Sequence, residues 1–199
     1  ITVNPTGQVD DPVDQIVCNG DTTDEVVFTT QNTGGTTTYT WTNTDTSIGL
    51  AASGSGNLPS FLISNPGNDP ITATITVIPF FDNQGIPCTG PSEDFTITVN
   101  PTGQVDDPVD QIVCNGDTTT VGFTTENTGG TTTYDWSSDL DIGAGLSGIG
   151  DMDFTAVNTG IEPIIATITV TPTFENGGVE CVGPSEDFTI TVNPSAQVD

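Results

Sequence analysis

Residues 71–77 read ITATITV, and residues 164–170 read IIATITV. In the first stretch Ile71, Ala73, Ile75 and Val77 share one face while Thr72, Thr74 and Thr76 share the other. That period of two belongs to a half-buried strand and not to a helix. The second stretch keeps the pattern, with Ile165 in one outward slot. Outward from this heptad the same alternation recurs. In FTITV (residues 95–99 and 188–192) Phe, Ile and Val face inward and threonines outward, a role that suits β-branched residues on a pleated surface. DEVVF places Val26 and Phe28 inward and Val27 outward, and its counterpart keeps Val121 and Phe123 with Gly122 between them. TTTYTWTN places Tyr39 and Trp41 inward, and TTTYDWSS does so with Tyr134 and Trp136 while Asp135 takes the outward slot.

These parallels reflect a repeat. Residues 1–23 recur letter for letter as residues 97–119, a period of 96, and GPSEDFTITVNP fills both 90–101 and 183–194. One copy of roughly 95 residues is an ordinary domain size. The expected organisation is the last strand of a preceding copy at 1–3, one domain at 4–100, a second at 101–193 and the start of a linker at 194–199. The one methionine is Met152, so the chain reads as a piece of a longer array. Turn residues separate the strands at Asn19-Gly20, Gly34-Gly35, 54–57, 66–69 and 83–85. About seven short strands per copy predict an all-β, antiparallel, immunoglobulin-like sandwich with Trp41 and Trp136 in the core.

Composition excludes more than it selects. The 199 residues hold no Lys, Arg or His against 27 Asp plus Glu, a formal charge of -27. Binding to nucleic acid or to anionic membranes relies on Lys and Arg, so neither partner is expected. Imidazole, Schiff-base lysine and arginine clamps are also missing from the catalytic toolkit, and no enzyme is expected. No apolar run approaches the ~20 residues of a membrane span. There is no signal-peptide pattern and no trypsin cleavage site.

Three groups of residues are candidates for chemistry. Four cysteines, Cys18, Cys88, Cys114 and Cys181, allow three connectivities. A copy that folds alone favours pairing inside each copy, Cys18 with Cys88 and Cys114 with Cys181, as staples of an oxidising compartment. Such a loop of about 70 residues would stabilise by roughly 4 kcal/mol on the chain-entropy account. Next, VDDPVDQ gathers Asp10, Asp11 and Asp14, and again Asp106, Asp107 and Asp110, in the linkers. Oxygen-rich clusters suit calcium, although no EF-hand pattern accompanies them, and a solvated acidic turn explains the same residues. Asp139, Asp141, Asp151 and Asp153 form a weaker cluster. Lastly, Asp21-Thr22-Thr23 and Asp117-Thr118-Thr119 match a short O-glycosylation acceptor pattern at Thr22 and Thr118. Glycoside hydrolysis would need a cleft with aromatic platforms, whereas the aromatics here alternate inward. An ice-binding face would need one flat array of threonines.

The Tyr-x-Trp strand, the Phe-x-x-x-Asn-x-Gly segments (61–67 and 154–160), and VCNG, GGTTTYTW and Cys-x-Gly-x-x-x-x-FTITVNP resemble a known family. It is the polycystic-kidney-disease-like (PKD-like) branch of immunoglobulin-like repeats, in giant secreted surface proteins of gliding Bacteroidetes, the SprB-type adhesins. The resemblance covers nearly all of both copies. It implies stalk repeats of an extracellular adhesin filament, anchored at the outer membrane. Its partners would be neighbouring repeats, external surfaces or polysaccharide, and the type IX secretion and gliding machinery. Accessory binding modules of a secreted enzyme, or a matrix or surface-layer protein, are the alternatives.

Overall fold

The computed structural model describes residues 2–196. The chain is all-β and forms two compact units, Ile1–Pro101 and Thr102–Asp199. In the first unit, β1 (Gln15–Cys18), β2 (Thr36–Asn43), β3 (Ser53–Ser55), β4 (Ile71–Asn83), β5 (Ile86–Thr89) and β6 (Glu93–Asn100) make one sheet. Its order is β1-β6-β4-β2-β3, with β5 also on β4. A single 3₁₀ turn, Thr46–Ile48, is capped by the Asp45 side chain.

The second unit repeats this sheet with β7 (Gln111–Cys114), β9 (Thr131–Ser138), β10 (Ser147–Ile149), β12 (Ile164–Asn176), β13 (Val179–Val182) and β14 (Glu186–Asn193). It adds a separate two-stranded layer, β8 (Thr118–Val121) with β11 (Met152–Thr155). The first unit holds the same layer more loosely, through isolated bridges Thr22↔Leu62 and Val26↔Leu58. Pro59 lies between those bridges and has no N–H for the ladder, whereas Asp153 pairs in the middle of β11.

The long strand β4 dominates each sandwich. Its inward residues Ala73, Ile75, Val77 and Phe81 are almost wholly buried, so the alternation read from residues 71–77 continues to the strand end. Along one edge β4 pairs first with β6 and then with β5, and Pro79 falls in the gap between the two partners. The core sets Val26, Phe28, Leu58 and Ile63 against Tyr39, Trp41, Ile75, Val77, Phe95, Ile97 and Val99. Phe28 contacts Tyr39 and Phe95 at ring-centroid distances of 5.4 and 6.4 Å. Gly54 and Gly148 stand where the indoles of Trp41 and Trp136 cover the neighbouring strand. An added Cβ there would come within 2.1 and 2.4 Å of the ring. Val27 and Ile165 face outward, 57% and 59% exposed.

One expectation needs correction. The sheets are not antiparallel throughout, because β1 runs parallel to β6 and β7 parallel to β14. The long stretch between β1 and β6 lets two strands at one edge run the same way. Thr2 and Val3 form no strand, and Val3 is 85% exposed. The same letters become strand at residues 97–99 by pairing with β4, whose edge β6 already fills in this unit. Ile1 and the last three residues of the expected linker lie outside the described residues. Among the described residues no helix is long and apolar enough to cross a membrane.

Candidate functional site

The informative positions in each unit are its two ends. The chain comes in where Gly7 donates its N–H to the Cys88 carbonyl at 3.1 Å and where Gly90 donates to Pro79 at 2.9 Å. The backbones cross so closely that a Cβ on Gly90 would lie 1.7 Å from the Gly7 carbonyl oxygen. The second unit repeats the crossing, with Gly103 donating to Cys181 at 3.1 Å and a Cβ on Gly183 falling 1.7 Å from the Gly103 oxygen. The Cys-x-Gly motif is therefore a clasp for the incoming chain at what we term the upstream end.

At the opposite, downstream end, a buried asparagine ties the sandwich shut. Asn65 is 1% exposed. Its Nδ2 donates to the Val99 and Asp69 carbonyls, both at 2.8 Å, and its Oδ1 accepts from Gly67 at 3.0 Å. Its own N–H donates to Asn19 Oδ1 at 2.8 Å. Asn158 repeats the pattern on Val192, Glu162, Gly160 and Asn115. The Asn-x-Gly motif thus fixes the final strand where the chain leaves the unit.

The cysteines lie at these ends, and not as expected. Val17, next to Cys18, is level with Val99 and Ile71, whereas Cys88 is level with Phe81. Ten residues of β4 separate the two levels, on the order of 30 Å at ~3.3 Å per residue. A disulfide needs Cα atoms within about 7 Å. Pairing of Cys18 with Cys88 is therefore geometrically closed. So is Cys114 with Cys181, because Val113 is level with Ile164 and Cys181 with Phe174. Cys18 and Cys181 are disulfide-bonded, and Cys88 and Cys114 carry free thiols.

The linker carboxylates are held by hydrogen bonds to separate donors. Asp10 accepts from Thr29 Oγ1 at 2.7 Å and from Gln31 Nε2 at 3.1 Å, bonds that hold its carboxyl below the usual carboxylate range, Thr29 contributing most. Asp14 accepts from the Thr96 N–H at 2.6 Å. In the second unit Asp106 accepts from Thr124 Oγ1 at 2.5 Å, and Asp110 accepts from the Thr189 N–H at 2.7 Å, a bond that lowers its pKa. Asp11 lines an open groove with Asp14, Asp24 and Glu25, and Asp107 is exposed. Asp14 and Asp110 thereby fasten to β6 and β14, while Asp10 and Asp106 bond to residues outside the strands. Among the described residues no group of three or more acidic, cysteine or histidine side chains could hold a metal ion. The weaker cluster is dispersed in the same way. Asp139 accepts from Thr167, Asp141 from Gly143 and Gly145, and Asp151 from Phe123.

Thr22 and Thr118 are exposed, while their neighbours Thr23 and Thr119 are buried. Tyr39 and Tyr134 are pushed above the usual phenol range, chiefly by burial. The indole N–H groups of Trp41 and Trp136 have no hydrogen-bond partner among the described residues.

No family model and no curated protein sequence matches the chain. Among solved structures, the three N-terminal domains of the bacteriophage RB49 highly immunogenic outer capsid protein (Hoc) align over 95% of this chain and 69% of that one. Their identity is 11% and the TM-score 0.50. The fold is immunoglobulin-like. Two further immunoglobulin-like structures are more distant. The insect immune protein hemolin aligns at 16% identity over 97% of this chain and 49% of its own, with a TM-score of 0.41. Tandem Ig repeats of Dlar align at 12% identity over 94% and 99%, with a TM-score of 0.30. The chain spans about half the length of hemolin. Phe28, Tyr39, Trp41 and Phe95 in the first unit, and Phe123, Tyr134, Trp136 and Phe188 in the second, are core residues.

Proposed function

We propose that the chain supplies stalk repeats of an extracellular, outer-membrane-anchored adhesin filament of the SprB type, exported by type IX secretion and used in surface attachment and gliding. The observation that carries this reading is the placement of the chain ends. In each unit the polypeptide comes in at one end of the longest strand and leaves at the other, which is what a load-bearing series of domains requires. Composition supports it. Uniform negative charge opposes non-specific association and compaction, and a chain without Lys or Arg resists trypsin-like proteases outside a cell. Thr22 and Thr118 are the accessible hydroxyls this reading offers for O-glycosylation.

Antibodies raised against the chain test the proposal on intact cells of the producing organism. The expected result is labelling of surface filaments, lost after proteinase K but not after trypsin, with antibody-coated beads carried along the cell. Antigen found only inside cells would overturn the stalk reading. Labelled filaments with stationary beads would leave a surface stalk and remove gliding.

A further inference from the structure

We propose that Asn176 is a self-modifying residue of this protein: at the tip of the β12–β13 hairpin its side chain is converted by water, without an enzyme, to aspartate and isoaspartate. The fold suppresses the same chemistry at Asn19 and Asn115. The inference goes beyond the filament reading and does not depend on it.

In this reaction the backbone nitrogen after an asparagine closes a five-membered ring on the amide carbon. It proceeds fastest when the next residue is glycine, which carries no side chain to obstruct the approach. Asn-Gly occurs at residues 19–20, 115–116 and 176–177. Exposure does not separate the three, since each asparagine is half-buried and each glycine exposed. Hydrogen bonding does. Gly20 donates its N–H to the Ile63 carbonyl at 3.2 Å and Gly116 to the Ala156 carbonyl at 2.8 Å, so both attacking nitrogens are held. The amide oxygens of Asn19 and Asn115 accept from the N–H groups of Asn65 and Asn158, both at 2.8 Å, so both target groups are held as well. The Gly177 N–H donates to no acceptor among the described residues.

The hairpin around Asn176 is also free to flex. Gly177 and Gly178 make its turn at φ 63° and 79°, and glycine restrains the backbone least of all residues. Glu175 stands directly opposite Glu180, a like-charge pair that weakens the end of the ladder. In the first unit the same turn is Gln84-Gly85, at φ 57° and 79°, with Asp82 opposite Pro87. There Asn83 is followed by a full side chain, which obstructs ring closure.

Hydroxide removes the Gly177 N–H proton, and the nitrogen attacks Cγ of Asn176. The N–Cγ bond forms, the Cγ–Nδ2 bond breaks, and ammonia leaves with a proton taken from water. Water then adds to either carbonyl of the resulting succinimide and cleaves its bond to nitrogen, giving aspartate or isoaspartate. The net change consumes one water and releases one ammonia, and nothing is oxidised or reduced. Isoaspartate inserts an extra carbon into the main chain where Asn176 pairs with Val179. Either product adds a carboxylate beside Glu175 and close to Glu180, so the tip of the hairpin opens as the protein ages.

The native chain, incubated in mildly alkaline buffer, is mapped by electron-transfer fragmentation, which distinguishes isoaspartate from aspartate. Asn176 should be converted at least about tenfold faster than Asn19 or Asn115, because two hydrogen bonds must first break at each of those sites. In denaturant the three rates should converge. The Gly177→Gln chain is expected to keep the turn, as Gln84 does in the first unit, and to lose the conversion at residue 176. Equal rates in the native chain, or no conversion at Asn176, would show that the fold leaves this site no more reactive than the others. A difference that survives in denaturant would show that the fold is not its cause, and unchanged conversion in Gly177→Gln would remove the ring closure. Each of these results overturns the proposal.

Discussion

Asn65 and Asn158 each tie the last strand of their unit to the turn before its longest strand. Each satisfies three backbone groups through its amide and donates a fourth bond from its own N–H, all at a nearly dry site. Removing the amide strands the Val99 carbonyl and the Gly67 N–H, and a stranded buried group costs about 1–3 kcal/mol. Asn65→Leu should therefore destabilise the first unit by about 2–3 kcal/mol, read as a fall of the denaturant midpoint with an unchanged m-value. A change below about 0.5 kcal/mol would show that water replaces the amide. The Asn-x-Gly motif was legible in the sequence, but its purpose was not, since its key acceptor, Val99, is 34 residues away. The linker aspartates mislead for the same reason. VDDPVDQ reads as a cluster, yet Asp10 and Asp14 are drawn apart by donors 19 and 82 residues distant.

At the scale of elements, facing was readable because it is local, although DEVVF forms no strand and Val26 makes only an isolated bridge. Alternation at residues 71–77 assigned the inward set correctly, as did the Val26, Val27 and Phe28 pattern. Pairing partners were not readable, because the parallel β1–β6 ladder and the distance between Cys18 and Cys88 depend on register over the whole domain. The glycine of Cys-x-Gly belongs here too, since its role is set by another segment crossing it. Gly90→Ala places a methyl against the Gly7 carbonyl, and backbone on both sides leaves no soft neighbour to give way. The incoming segment must lift, breaking the Gly7 to Cys88 bond. The expected cost is on the order of 3 kcal/mol, with fast hydrogen exchange at Gly7 while the Ile75 amide stays protected. Exchange rising equally at both would mean that the clasp is not a separate element.

Over the whole molecule, 27 carboxylates and no cation make the pH profile unlike that of most domains. With no histidine or lysine to titrate, the melting temperature should be flat from pH 6 to 8. Lowering the pH towards ~4.5 neutralises part of the charge and relieves repulsion in the compact state, so stability should rise. The opposing contribution comes from Asp10, Asp45 and Asp110, whose native pKa values lie below their ordinary 3.8 because of hydrogen bonds to the charged form. A depressed carboxylate adds stability above its unfolded pKa and loses it as pH falls through the native one. The decline should therefore begin only below pH 3.8. At the alkaline side Tyr39 and Tyr134 are raised above 10.0. Their contribution is complete below the unfolded value and is lost as pH climbs through the native one. The expected profile is a maximum near pH 4–5, a plateau, then a fall above pH 10, followed by near-ultraviolet circular dichroism of the buried Trp41 and Trp136. Added salt should raise the neutral plateau by screening, and calcium should do no more than magnesium at matched ionic strength, because Asp10 and Asp14, and likewise Asp106 and Asp110, are held by different donors. A stability maximum at neutral pH, or a gain specific to calcium, would show that repulsion is not the dominant electrostatic term.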